Sequence, residues 1–250
     1  MSAGNQQGYV LRMNCEKPEH SCMNCPTRQT SEWSSLNDEE LRLVDEAKKS
    51  RAWEPGQILF HQGDKCEGLF CLQAGLIGLR RVDENGNSVL IRLCRPGGTI
   101  GYRALLSKTN HQNTAEVLSP SVICFIDRST VQRLLSKSFR LGERFLRHGI
   151  EDLSIVEDAY VRSMTLSVKT RFLHALMVLY ETHGYEEAPG KCVLEIPIPR
   201  KDLAALIGSS PESISRIIRR LETEGLMHFQ DRRVSFPNMD VIFKQMDLVN

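Results

Sequence analysis

The sequence predicts an α+β chain with an N-terminal antiparallel β-barrel or jelly roll, a long helix, and a C-terminal winged helix-turn-helix. Three observations predict it. Between about 53 and 127, short apolar runs (QILF, GLFCLQ, LIGLRRV, SVLIRLC, TAEVL, SVICFID) alternate with the turn signals EPGQ, HQGD, DENGN and RPGG. Evenly spaced short strands with Gly and Pro punctuation indicate a barrel or a double-sheet jelly roll. From about 129 the period becomes helical, and FLRHGIEDLSIVEDAYVRSM places Leu146, Ile150, Leu153, Val156 or Glu157, Tyr160 and Met164 at alternating steps of three and four. Finally, IPRKDLAALIGSSPESISRIIRRLETEGLMHFQDRRVSF reads as helix, turn, helix and β-hairpin.

These patterns divide the chain into four. Residues 1–35 are polar and cysteine-rich with no sustained period, and suggest an irregular segment organised by something other than a core. Residues 36–138 form the expected β-barrel domain. It opens on LNDEELRLVDEAKKS, an amphipathic helix with Asn37 as N-cap and Leu36, Leu41 and Val44 on one side. Residues 139–165 carry the heptad-like seam, in which Ile150, Leu153, Val156 and Tyr160 suit pairing with a second copy of the chain. Residues 166–250 form the last domain, with KTRFLHALMVLY as a helix and CVLEIPI as a strand before the helical pair.

Composition narrows the function. The 250 residues are 41% hydrophobic and 25% charged, as in a globular protein, and the formal net charge is +1. Any nucleic-acid binding therefore depends on a local patch. No apolar run approaches the length that spans a bilayer, so no membrane partner is expected. The opening MSAGNQQGYVLRMN lacks the basic-then-apolar order of a signal peptide, and a cytoplasmic setting is expected. There, eight cysteines are reduced, buried or metal-bound rather than bridged. The strand region shows no cluster of His and carboxylate ligands, so no enzyme is expected.

The second helix of the pair carries the clearest signal. Gly208 ends the helix before it, Ser210 can cap the next, and Pro211 fits its first turn. Ile214, Ile217, Ile218 and Leu221 make one buried stripe, while Glu212, Ser215, Arg216 and Arg219 fall on the other side. Arg can donate to guanine O6 and N7, Glu can accept from the cytosine amino group, and Ser can contact either kind of edge. Between 200 and 220, five basic side chains (Arg200, Lys201, Arg216, Arg219, Arg220) face two acidic ones, Asp202 and Glu212. That local excess supplies the phosphate attraction which the overall charge does not. The bland alternative is a helical hairpin with a solvated charged face. The caps, the polar face and the following hairpin together favour double-stranded DNA as the partner.

The cysteines are less decisive. NCEKPEHSCMNCP packs Cys15, Cys22 and Cys25 into eleven positions. Such a cluster fits a metal or iron–sulfur site, but three thiolates leave one position of a four-ligand site open. Of the remaining five, Cys71, Cys94 and Cys124 lie in apolar strand runs and fit small buried hydrophobes.

This order of parts, from about 36 to 250, resembles the CRP/FNR family of bacterial transcription factors. The E-S-I-S-R of Glu212 to Arg216 is similar to the FNR branch, whose recognition helix reads Glu, any two residues, Ser, Arg. The resemblance implies that Glu212, Ser215 and Arg216 read bases, in an inverted repeat with TTGAT-like half-sites bound by a homodimer. It also implies contacts to RNA polymerase. In the cyclic-nucleotide branch a Gly-Glu and an Arg-Ser or Arg-Thr pair hold the ligand. Here the matching positions are Gly101-Tyr102 and Gln112-Asn113, so no cyclic nucleotide is expected. The FNR branch carries its internal cluster ligand on the last barrel strand, where SVICFIDRSTV places Cys124. The resemblance thus implies that Cys15, Cys22, Cys25 and Cys124 hold a 4Fe-4S iron–sulfur cluster sensing oxygen, with nitric oxide as a second input. The branch's usual spacing is reversed here, with the wide gap first (Cys-x6-Cys) and the close pair second (Cys-x2-Cys), and His20 is a candidate stand-in. A zinc-stapled or effector-binding regulator without a redox cluster is the alternative reading.

Overall fold

Helix α1 (Asp38–Ala47) shows how the sequence sets its elements locally. The Asn37 side chain accepts from Glu40 N at 2.9 Å, and the Glu40 carboxylate accepts from Asn37 N at 3.0 Å. This reciprocal capping box is worth about 1 kcal/mol. Leu41 and Val44, on one side of the helix, are buried. The computed structural model describes residues 21–247, which fall into two compact units, one ending at Asp158 and the other beginning at Ala159.

In the first unit, β1 (Lys49–Trp53), β2 (Ile58–Phe60), β3 (Gly68–Val82), β4 (Ser88–Cys94), β5 (Thr99–Ile100) and β6 (Thr114–Asp127) form one antiparallel sheet. Its path runs β1-β6-β3-β4, with β2 added on β6 and β5 on β3. Of the two architectures expected, the jelly-roll form is the one found, because β1 and β4 are not hydrogen-bonded to each other and the sheet does not close. The long strands β3 and β6 instead pair along most of their length. Register shifts between Leu72/Ala74, Ala74/Leu76 and Leu76/Ile77 bend them over.

The two faces of the bent sheet bury different clusters. Leu72, Ile77, Cys94, Ile100, Ala115, Val117 and Ile123 fill the inside. Leu69 and Ile126 face outward, where they pack with Leu41, Val44, Val131, Leu134, Leu141 and Phe145. Those residues come from α1, α3 (Arg128–Lys137) and α4 (Phe139–Thr165), and the short α2 (Tyr102–Ser107) joins them through Tyr102, Ala104 and Leu105. Because side chains alternate along a strand, Cys71 shares the outer face with Leu69, and Cys124 shares it with Ile126.

The second unit takes in the last residues of α4 and continues with α5 (Val168–His183), capped by Ser167 Oγ accepting from Thr170 N. A four-stranded sheet follows in the order β7-β8-β10-β9, built from β7 (Gly184–Ala188), β8 (Lys191–Glu195), β9 (His228–Gln230) and β10 (Arg233–Phe236). Helices α6 (Arg200–Leu206) and α7 (Pro211–Thr223) lie between β8 and β9, and α8 (Met239–Asp247) closes the described chain.

Candidate functional sites: a cysteine pocket and a nucleic-acid interface

The cysteine-rich segment from Ser21 to Ser35 is not the coreless stretch its composition suggests. It winds through three short 3-10 turns, Cys22–Asn24, Arg28–Thr30 and Glu32–Ser35, and buries Trp33 against Phe145, edge to face at 6.1 Å. One buried tryptophan leaves no period in a sequence, which is why the anchor is invisible there. Helix α1 holds the other end. Asp45 accepts from Cys22 N at 2.6 Å, from Ser21 Oγ at 2.8 Å and from Lys48 Nζ at 2.5 Å. Gly97, in the left-handed region at φ 92, lets the segment come close, since a Cβ there would lie 2.4 Å from Thr30 Oγ1.

A pocket of about 460 Å³, counting its open mouth, lies between this segment, α1 and the outer face of the sheet. Cys22 and Cys25 line one wall, Cys71 and Cys124 another, with Arg28, Ser31, Trp33 and Lys48 around them. The sequence suggests Cys71 as a small core hydrophobe. It does pack against the outer core, and it stands directly opposite Cys124 in the β3–β6 register, with Ser50 on the far side of Cys124 in the β1–β6 register. Cys94 does occupy the inner core as expected. Cys15 and His20, the other candidate ligands, lie outside the described residues.

The electrostatics of the pocket are uneven. Burial pushes the Cys22 thiol up to about 12, although Lys48 Nζ, 3.4 Å from its sulfur, pulls the other way. Burial also raises Cys124, against the charge of Lys48, and raises Cys71 well above the usual thiol range. Of the residues that line the pocket, two have a buried donor with no hydrogen-bond partner, Trp33 Nε1 and Arg28 Nε. Unpaired buried donors are uncommon and fit an anionic group bearing acceptor atoms. Among the described residues no three Cys, His, Asp or Glu side chains converge closely enough to hold a single metal ion.

Behind Trp33, a buried polar network reaches the long helix. Glu32 accepts from Thr99 Oγ1 and from His148 Nδ1, and His148 Nε2 lies 3.5 Å from Asp152. Asp152 also accepts from both terminal nitrogens of Arg92 and from the Tyr102 hydroxyl. Burial works to raise the Asp152 carboxyl. The hydrogen bonds from His148, Arg92 and Tyr102 outweigh it and hold the group well below the usual carboxylate range. Tyr102 is thereby committed to an internal contact.

Beyond this network, α4 carries an exposed apolar stripe. Ile150, Leu153, Val156 and Tyr160 are each more than half exposed, as are Leu146 and Met164 on the same spacing. An apolar stripe of this length along one helix is unusual on a solvated surface.

In the second unit, Ser210 Oγ caps α7 by accepting from Ser213 N at 3.2 Å, Pro211 is its first residue, and Gly208 turns the chain at φ 62. Ile214, Ile218 and Leu221 are buried, while Ile217 is half-buried at the edge of the stripe. Glu212, Arg216 and Arg219 are exposed on the outer side, with Ser215 half-buried between them. The Ser215 hydroxyl donates to Pro211 O at 2.9 Å, which leaves its oxygen able to accept. Arg200 is exposed at the start of α6, just after Pro199. Arg171, from α5, donates to Ile207 O and braces the turn. The hairpin β9–β10 turns at Asp231 (φ 55) and forms the wing.

Two family models match this chain. The cyclic nucleotide-binding domain covers residues 50–138, and the Crp-like helix-turn-helix domain covers residues 170–242. The chain belongs to the CRP/FNR family of transcriptional regulators. It is 22% identical to the regulatory protein HlyX of Actinobacillus pleuropneumoniae, over 88% of this chain and 91% of that protein. It is likewise 22% identical to the fumarate and nitrate reduction regulatory protein of Salmonella typhimurium, over 88% of each. These relatives put it on the FNR-like branch of the CRP/FNR family. Among solved structures, a CRP/FNR-family regulator of Thermus thermophilus aligns with a TM-score of 0.68 and 24% identity, over 81% of this chain and all of that one. As a CRP/FNR regulator the chain is a DNA-binding protein and not an enzyme. Its family binds DNA typically as dimers. No helix of the described residues is long and apolar enough to cross a membrane.

Proposed function

We infer that this CRP/FNR regulator responds to oxygen or redox state through an iron–sulfur cluster in the cysteine pocket, and binds an inverted-repeat operator as a homodimer. The observation that carries the reading is the meeting of Cys22 and Cys25 with Cys124, distant in sequence, in one pocket. The residues fit such a group. Thiolates suit iron–sulfur ligation, Trp33 Nε1 and Arg28 Nε are unpaired donors, and Lys48 adds positive charge. A single zinc would need its ligands about 2.3 Å from one point, a convergence absent among the described residues. When bound, such a cluster supplies oxygen-sensitive redox chemistry, with nitric oxide as a second input.

The chain's own residues account for the transmission. Trp33 and Glu32 belong to the segment that bears Cys22 and Cys25, and both touch α4, through Phe145 and His148. A shift of that segment therefore changes the footing of the helix that carries the exposed Ile150, Leu153, Val156 and Tyr160. Pairing along that face sets two copies of α7 about one turn of DNA apart. There Glu212, Ser215 and Arg216 read bases in TTGAT-like half-sites, while Arg219 and Arg200 meet phosphates. RNA polymerase is the protein partner of such a regulator, and the cytoplasm is its setting. Gln112-Asn113 replaces the phosphate-binding arginine pair, so no cyclic nucleotide enters this reading.

The test is purification without oxygen, followed by iron and acid-labile sulfide analysis and operator binding before and after exposure to air. A brown protein whose operator affinity falls in air is the expected result. Absence of iron and sulfide, with equal binding in air, overturns the reading. Colourless protein with one zinc per chain supports the stapled alternative.

A further inference from the structure

We propose that Cys71, not Cys15, supplies the fourth thiolate of the pocket, so that the ligand set is Cys22, Cys25, Cys71 and Cys124. The inference rests on the cluster reading above and names its ligands.

Geometry singles out Cys71 among the remaining cysteines. It lines the same pocket as the other three. It is the direct cross-strand neighbour of Cys124 on the outer face of the sheet, which places their Cβ atoms about 4.5–5.5 Å apart and pointing the same way. The pocket is then walled by two thiol pairs, a Cys-x2-Cys turn on one side and a strand pair on the other. A multi-atom cluster held at four corners needs such an arrangement. The Trp33 indole, only 6% exposed, lines the same pocket with its N–H unpaired, where a cluster sulfide or thiolate would accept it.

The other described cysteines are committed elsewhere. Cys94 packs inside the sheet, and the Cys66 thiol donates to Gly68 O at 3.4 Å in the outer core. Cys192 pairs in register with Phe236 in the other unit. With Cys71 in the set, the reversed spacing of Cys15, Cys22 and Cys25 ceases to be an anomaly, because only the close pair Cys22–Cys25 is used.

The experiment compares full-length wild type, Cys15→Ser, Cys71→Ser and Cys71→Ala, each reconstituted with iron and sulfide without oxygen. Iron and sulfide per chain and the visible absorption band are measured. Cys15→Ser should match wild type, whereas both Cys71 variants should lose most of their iron and the band. Far-UV circular dichroism and urea unfolding of the iron-free proteins check that the Cys71 variants still fold. If they do not, native alkylation decides: iodoacetamide should modify Cys15 in iron-loaded wild type without loss of iron. The assignment is overturned if Cys71→Ser keeps wild-type iron. It is equally overturned if Cys15→Ser loses iron while folding normally, or if iron loading protects Cys15 from alkylation. Wild type that takes up no iron and sulfide at all removes the cluster reading, and this assignment with it.

Discussion

Glu32, in the cysteine-rich segment, accepts a hydrogen bond from His148 on α4, and both side chains are shielded from solvent. This contact spans 116 positions of sequence and joins the wall of the cysteine pocket to the helix that bears the pairing seam. Removing one partner of a buried ion pair leaves the other charged and unmatched. Glu32→Ala should therefore lower unfolding free energy by roughly 3 kcal/mol, measured by urea denaturation of the iron-free protein. Glu32→Gln, which can still accept from Thr99 and His148, should cost less.

The same pair sets a pH dependence. Hydrogen bonds from His148 to Asp152 and to Glu32 outweigh its burial and raise its pKa to about 9. Arg92 and Tyr102 also face Asp152, and Tyr102 stacks on the His148 ring at 4.6 Å. A raised folded-state pKa means that the stabilisation is fully present below about 6.5, the unfolded value, and is lost as pH rises through about 9. Denaturation from about pH 6 to about pH 10 should show wild type losing its advantage over His148→Gln across that window. A constant difference over the range would contradict it.

On α7 and α6, Arg216→Ala and Arg200→Ala should behave differently. Loss of a base-reading arginine should cost about 1–3 kcal/mol and relax discrimination at one position of each half-site. Loss of a phosphate-contacting arginine should weaken binding to all sequences alike and reduce the salt slope by about one. Fluorescence anisotropy with matched and singly substituted operators, at two or more salt concentrations, separates the outcomes.

The seam on α4 predicts assembly. Leu153→Glu should give a monomer in sedimentation velocity at micromolar concentration, since a charge at the centre of an apolar helix pair opposes its own copy. Because Val156 is apolar and Asp152 is occupied by Arg92, Tyr102 and His148 instead of facing the seam, iron-free wild type should remain dimeric under the same conditions. A monomeric iron-free wild type would refute the second expectation.

Much of this architecture was legible along the chain. Asn37, Ser210, Pro211 and Gly208 announce helix ends because caps act within one turn, and the period of Ile214, Ile218 and Leu221 reports a buried face within one helix. The exposed stripe from Leu146 to Met164 is likewise a local period. The polar face of α7 could be read for the same reason, as could the short strands with their turns.

The cysteine pocket was legible only in part. A cross-strand register decides that Cys71 stands beside Cys124, and nothing within GLFCLQ or SVICFID specifies that register. Glu32, Trp33, His148 and Asp152 carry no local pattern, yet they meet because the bent sheet, the N-terminal turns and α4 pack on one another. The sequence by itself determined where helices begin and end and which face of each is apolar, since those preferences act over a few residues. Only the tertiary structure decided which thiols and charges share a pocket, because burial and hydrogen bonding between distant segments depend on packing that no short stretch encodes.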